Sequence, residues 1–159
     1  MKLSWYSLYN LVLALWVGGI AIFTFVVTPA IFKSYGRDMA SQIVGKLFPG
    51  YFLYVLVLAA LAFILFFTVA GDQARPPARI SFLLLMIALV ISATVTFKIY
   101  PDAVKLKQQI TSFEREAPDS PARKHFARLH AASMSLNLLL FVDSVVLLLL
   151  GSALKKSVI

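Results

Sequence analysis

Apolar residues in this chain come in long unbroken runs, and polar residues are largely confined to the stretches between them. Four runs reach the roughly 20 mostly apolar residues that a helix needs to cross a bilayer. They cover residues 8–32, 47–70, 80–99 and 129–154, and none carries Lys or Arg in its interior. The pattern predicts an all-α fold, a single transmembrane domain over residues 1–159 built as an antiparallel four-helix bundle. An even number of crossings puts both termini on one side. The first run is longer than the about 7–15 apolar residues of a signal-peptide core, so it is expected to stay as a membrane helix.

The connections differ in kind. Residues 71–78 read GDQARPPA, a tight turn in which Gly ends one helix and the Pro pair blocks its continuation. Residues 33–46 form a polar link. Residues 100–128 are the longest connection, where Leu106, Ile110, Phe113 and Ala117 recur at helical spacing among charged residues. That spacing predicts a short amphipathic helix on the membrane surface over about residues 103–117. Ser120 before Pro121 has the form of an N-cap with Pro at the first helical position. The fourth helix should begin there and enter the bilayer near Leu129.

Composition agrees with lipid as the solvent. Of the 159 residues 60% are hydrophobic and only 14% charged, with mean hydropathy +0.86. A soluble domain carries about a quarter charged residues. The net charge of +8 does not suggest nucleic acid, because no aromatic–basic motif accompanies it. Its Lys and Arg flank apolar runs, as the positive-inside rule and anionic headgroups favour. Ten lie at the ends shared by the first and third connections (such as Lys33, Arg37, Lys105 and Arg128) and five at the other (Lys2, Arg75, Arg79, Lys155 and Lys156). This bias places residues 33–46 and 100–128 in the cytoplasm and the termini outside, in what is expected to be a bacterial inner membrane. The chain has no cysteine, which excludes disulfides, thiolate metal sites and iron–sulfur clusters.

Candidate chemistry is sparse. The helix ends facing the first and third connections gather Pro29, Lys46, Phe48, Pro49, Tyr51, Lys98, Tyr100 and Phe126 on one leaflet. These residues suit an interfacial belt of anchoring aromatics and snorkelling cations, or the mouth of a pocket. In the fourth helix His130, Ser133, Asn137 and Ser144 fall on one stripe at about 100° per residue. Such a stripe faces protein, either as hydrogen-bonding contacts between helices or as a ligand, metal or haem site. His130 would be the donor there, and Met134 lies one turn away.

Asp143 is the most expensive residue to bury, at least about 2.5 kcal/mol if ionised. It sits roughly 140° off the His130 stripe, with Asn10 or Thr68 as possible partners. An acid at that depth either handles protons or ions or is a protonated hydrogen bonder. Gly18-Gly19 permits close helix contact. No nucleophile–base pair, carboxylate pair or phosphate loop is present, which argues against hydrolytic or phosphoryl-transfer chemistry.

Lys46-Leu47-Phe48-Pro49-Gly50-Tyr51-Phe52, with Phe126, His130, Ser133, Asn137 and Leu138 spaced as F-x-x-x-H-x-x-S-x-x-x-N-L, resembles the transmembrane protein 205-like family. Its bacterial members fall under a domain of unknown function. The resemblance covers nearly the whole chain. It implies a four-helix membrane protein with a eukaryotic relative tied to platinum-drug resistance and trafficking, and brings no catalytic residue. The layout is loosely similar to copper-resistance and haem-binding four-helix membrane proteins. Those place histidines on more than one helix, whereas the first three helices here hold none.

The expectation is therefore a non-enzymatic membrane protein that binds a small ligand or lipid, or assembles as a homo-oligomer or with other membrane subunits. Ion or solute transport through an oligomer using Asp143 is one alternative. A haem b or copper redox protein using His130 is the other. Membrane lipids are the expected partners, and nucleic acid is not.

Overall fold

The structure, a computed structural model, describes residues 4–70, 75–115, 117 and 119–155. Four long helices make up nearly all of it: α1 (Trp5–Ser34), α2 (Arg37–Val69), α3 (Pro76–Lys107) and α4 (Pro121–Lys155). No strand occurs among the described residues. Each helix packs on its chain neighbours, and α1 closes the ring against α4. The shared interior holds Tyr9, Leu13 and Trp16 of α1, Ala59 and Ala62 of α2, Leu85 and Ala88 of α3 and Leu147 of α4, all with 0% exposure. Small residues at these contacts let backbones approach closely. Tyr54 of α2 crosses α1 beside Gly19 and donates to the Leu15 carbonyl at 2.5 Å. A Cβ at Gly19 would lie 2.6 Å from the Tyr54 hydroxyl oxygen. Only one glycine of the Gly18-Gly19 pair is needed, since nothing lies within 4 Å of a Cβ at Gly18.

Large apolar side chains also cover the outside, with Phe97 70% and Leu149 69% exposed. A helix that is apolar all round must meet protein on one side and hydrocarbon on the other. All four helices are long and apolar enough to span a bilayer, and the protein is an integral membrane protein with a four-helix membrane bundle. The first three have 30, 33 and 32 residues. At about 1.5 Å per residue that is 45–50 Å, against a hydrocarbon core of about 30 Å. Every helix therefore runs on well past the apolar core.

This excess length corrects the expected connections. Residues 37–46 are not a polar link but the first turns of α2, leaving only Tyr35 and Gly36 between α1 and α2. Ala40 at 0% and Val44 at 3% exposure supply the buried stripe that holds those turns. The Pro76–Pro77 pair opens α3 rather than blocking α2, as suits residues whose missing N–H is an orphan at a helix start. Gly71 to Ala74 of that turn lie outside the described residues. The expected surface helix over 103–117 is also replaced. Residues 100–107 prolong α3, and 108–120 fold back in turns. Ser120 caps α4 by accepting from the Arg123 amide at 3.4 Å.

Pro49 sits inside α2. It has no N–H to give the carbonyl one turn back, which is that of Gly45. The Tyr100 hydroxyl of α3 donates to that carbonyl at 3.4 Å. A proline in α2 thus creates the acceptor that ties α3 to it. Tyr100→Phe should lower stability in detergent by about 0.5–1 kcal/mol. Adding Pro49→Ala, which returns an N–H to the Gly45 carbonyl, should recover most of that loss on thermal unfolding. Equal losses in both backgrounds would show that the hydroxyl serves no such purpose.

Two further prolines shape the bundle in the same way. α1 contains a π-helical turn at Phe23–Val27 before Thr28-Pro29. α3 contains one at Val95–Ile99 before Tyr100-Pro101. In each, the residue before the proline reaches back five positions, Thr28 N–H to the Phe23 carbonyl and Tyr100 N–H to the Val95 carbonyl. Each turn carries the same string, Thr-Phe-x-x-x-Pro, at 24–29 and again at 96–101. π-turns insert an extra residue into the helical ladder and concentrate at functional sites. Both lie at the end of the bundle described next.

Candidate functional site

At the end of the bundle that holds both connections, the four helices splay around a cavity of about 270 Å3. It is built from the ends of α1 and α3, the starts of α2 and α4, and the 108–120 connection. Its walls are largely aromatic. Phe48 and Phe52 of α2 stack at 5.2 Å, and Phe52 meets Tyr100 of α3 edge-on at 5.6 Å. On the opposite side Phe126 of α4 lies parallel to the His130 ring at 6.0 Å and packs on Phe113 at 5.3 Å.

The 108–120 connection closes the outer end. Asp38, in the first turn of α2, accepts from the Ser112 hydroxyl at 2.6 Å and from the Phe113 amide at 2.5 Å. The Ser112 hydroxyl oxygen in turn accepts from the amides of Glu114 and Arg115 at 3.2 and 3.1 Å. This clasp places Phe113 over the cavity, and Ile110 is 8% exposed beneath the connection. The sequence pattern missed Asp38. An acid at a helix start is commonplace, and its link to Ser112 is a long-range contact that no local spacing announces.

One turn of α4 beyond the cavity-lining Ser133 lies a polar network in the middle of an apolar bundle. Asn137 of α4 accepts from the Tyr51 hydroxyl at 2.5 Å and donates to the Thr24 hydroxyl at 2.8 Å. Three helices are joined through one side chain. Tyr51 is also stacked on Phe23 at 4.0 Å, so the first π-turn provides both its ring contact and, through Thr24, the end of its hydrogen-bond chain. Thr96 of the second π-turn donates to the Ser92 carbonyl at 2.7 Å. Beside it lies a void of about 10 Å3 lined by Ser92, Thr96 and Asn137, close to the volume of one water probe. The repeated Thr-Phe-x-x-x-Pro string was the available sequence signal for this network.

The predicted stripe therefore divides. His130 and Ser133 line the cavity, and Asn137 makes the contact between helices. Ser144 is 0% exposed but donates to its own helix, at the Phe141 carbonyl 2.8 Å away. Of the leaflet residues, Phe48, Tyr100 and Phe126 reach the cavity, whereas Tyr51 does not line it and is bonded to Asn137. Lys46, Pro49 and Lys98 point outward, and half-buried Pro29 does not reach the cavity.

The residues do not fit haem or copper well. Met134 is 54% exposed and lies outside the cavity, so His130 has no second soft donor beside it. No cluster of three or more His, Cys, Asp or Glu occurs among the described residues. A cavity of about 270 Å3 is below the usual range for drug-sized ligands, about 300–1,000 Å3, and a porphyrin is a large member of that class.

Asp143 lies elsewhere, deeper in α4. Among the described residues neither carboxylate oxygen has a hydrogen-bond partner, and both are buried. Its expected partners are engaged with their own helices. Asn10 donates to the Tyr6 carbonyl at 2.9 Å and Thr68 to the Leu65 carbonyl at 2.7 Å. Tyr9 of α1, whose buried hydroxyl is also unpartnered, lies within electrostatic reach. Asp143 lines neither the main cavity nor the smaller void.

No curated protein and no solved structure matches the chain. A family described only as a domain of unknown function, DUF4149, matches residues 11–112. The match takes in α1, the aromatic start of α2 and the end of α3. It stops before His130, Ser133 and Asn137, and it carries nothing about the transmembrane protein 205-like family. Since it covers more than half of the sequence, this four-helix membrane protein belongs to the DUF4149 family.

Proposed function

We propose that the protein is a non-enzymatic membrane protein that binds one small amphipathic ligand in the cavity at its connection-bearing end. The observation that carries this reading is the cavity itself: about 270 Å3, walled by aromatic rings and lying beneath a clasped connection. Interiors normally close-pack, with few voids larger than a water molecule. A partly open pocket of this size between the helix ends, with two π-turns and an internal proline nearby, is a feature that packing alone does not require. By the positive-inside bias this end faces the cytoplasm of a bacterial inner membrane.

Half-buried Ala103 lies on the cavity wall, and Ala103→Phe should fill it while adding only apolar surface. Purified wild-type protein should release a near-stoichiometric small lipid-like molecule on solvent extraction and mass spectrometry, and the variant should release little. Equal content in two well-folded samples would refute the reading.

A further inference from the structure

We infer that the ligand of this cavity is an anionic amphiphile whose charged head is held by Arg37 and Lys107 and whose tail runs along the apolar wall. This rests on the reading of the cavity as a ligand site and names the class of molecule it takes.

The head follows from charge. Arg37 is the first residue of α2 and Lys107 the last of α3, and both line the cavity. No carboxylate lines it, and among the described residues neither cation has an ion-pair partner within 4 Å. The described acids at this end do not line the cavity. Asp38 holds the clasp, Asp102 pairs with Lys105 at 3.7 Å, and Asp119 pairs with Lys124 at 3.1 Å. The Glu114 carboxylate rests against Gly36.

Lysine near a membrane surface ordinarily snorkels outward. Lys107 instead lies against α2, where its ammonium donates to the Ser41 carbonyl at 2.6 Å. Gly45 makes room, since a Cβ there would sit 3.0 Å from the ammonium nitrogen. An ammonium has three donors, so two remain for a ligand. The Arg37 guanidinium, lining the same cavity, supplies a planar fork suited to a carboxylate or a phosphate.

The tail follows from shape. From Ile99 to Lys107 the wall runs about 12 Å along α3, and from Ser41 to Phe52 about 16 Å along α2. Over that depth the lining is almost wholly apolar, so an extended hydrocarbon chain packs along it at ordinary carbon–carbon contact distances of about 3.5–4.0 Å. Carbon–carbon bonds of about 1.5 Å advance about 1.25 Å each along a zigzag, so roughly ten to twelve carbons match the length.

Lipid tails outside are as apolar as the cavity wall, so moving a chain from one to the other gains little. Discrimination must therefore come from the head. A carboxylate from a fatty acid and a phosphate monoester share the required chemistry, and the neutral alcohol of the same length lacks it.

The test uses the full-length protein in phosphatidylcholine nanodiscs, with radiolabelled dodecanoate, dodecyl phosphate and dodecanol as three direct binding probes. We expect one or both anions to bind about tenfold or more tightly than dodecanol. The preferred anion identifies the head. In the Arg37→Gln/Lys107→Gln double variant that preference should vanish while dodecanol binding is unchanged. An unaltered thermal midpoint would show that the variant is folded. Equal binding of all three probes to wild type would overturn the anionic class but leave the cavity as a ligand site. An anion preference that survives in the double variant would also overturn it. Failure of every probe to bind, with no molecule released by extraction, would overturn both the class and the site.

Discussion

Replacing Asp143 with valine should stabilise the protein by about 3 kcal/mol. On insertion scales an aspartate at the centre of a membrane helix is unfavourable by about 2.5–3.5 kcal/mol, and valine is slightly favourable. A buried carboxyl recovers part of this where hydrogen bonds surround it, but among the described residues both oxygens of Asp143 lack a partner. Valine is close enough in volume to avoid serious overpacking, and it leaves no polar atom beside Tyr9. Asp143→Asn, which keeps the polarity, should recover much less. The measurement is reversible denaturation in mixed micelles. A gain would mean that this acid is kept for something other than folding. A loss on Asp143→Val would show that the carboxyl has a stabilising partner in the bundle. Because Asp143 lies away from the cavity, ligand binding should not change with it.

The second large effect is expected at Asn137. Asn137→Leu removes both hydrogen bonds of the network and strands the Tyr51 and Thr24 hydroxyls inside the bundle. Hydrogen bonds between membrane helices average about 0.6 kcal/mol and reach about 1.7. The loss of two, with two orphaned hydroxyls, should cost about 1–3 kcal/mol. The triple variant Thr24→Val, Tyr51→Phe, Asn137→Leu replaces every partner by an apolar group and should return much of that loss. A neutral Asn137→Leu would mean that the network does not hold α1, α2 and α4 together. Ligand binding should weaken in the single variant, since the network adjoins the cavity and Tyr51 is held in it by this contact and by its stacking on Phe23.

The two sites contrast in physical character. At the cavity end, several polar residues are hydrogen-bonded between segments beside a space. Asp38 holds the connection, Asn137 bridges three helices and Tyr100 completes the carbonyl that Pro49 leaves open. Farther along α4, Asp143 is packed without a partner and without a cavity beside it. The first arrangement suits a binding site that must keep its shape. The second has stability to gain by losing its acid, and so points to a constraint outside the folded monomer's own energetics.

The sequence alone determined the parts of this protein that depend on solvent. Four long apolar runs require four membrane helices, because lipid leaves a backbone no partner except its own helix. The proline start of α3 and the Ser120-Pro121 cap follow from local chemistry. The stripe on α4 was also legible, because a period of 3.6 residues is a property of one helix. Helix ends were less so. Residues 37–46 and 100–107 read as polar connections until Ala40, Val44 and the wall of the cavity give them something to pack against.

Tertiary structure decided everything that relies on residues distant in the chain. Asp38 meets Ser112, Tyr51 meets Asn137, and Lys107 reaches the Ser41 carbonyl. It also divided one sequence stripe between a cavity, a bridge between helices and a helix's own backbone. The physical reason is that hydropathy specifies which segments enter lipid but not how they turn about their axes. That rotation is set by small residues, π-turns and a few polar pairs, whose partners the linear order does not reveal.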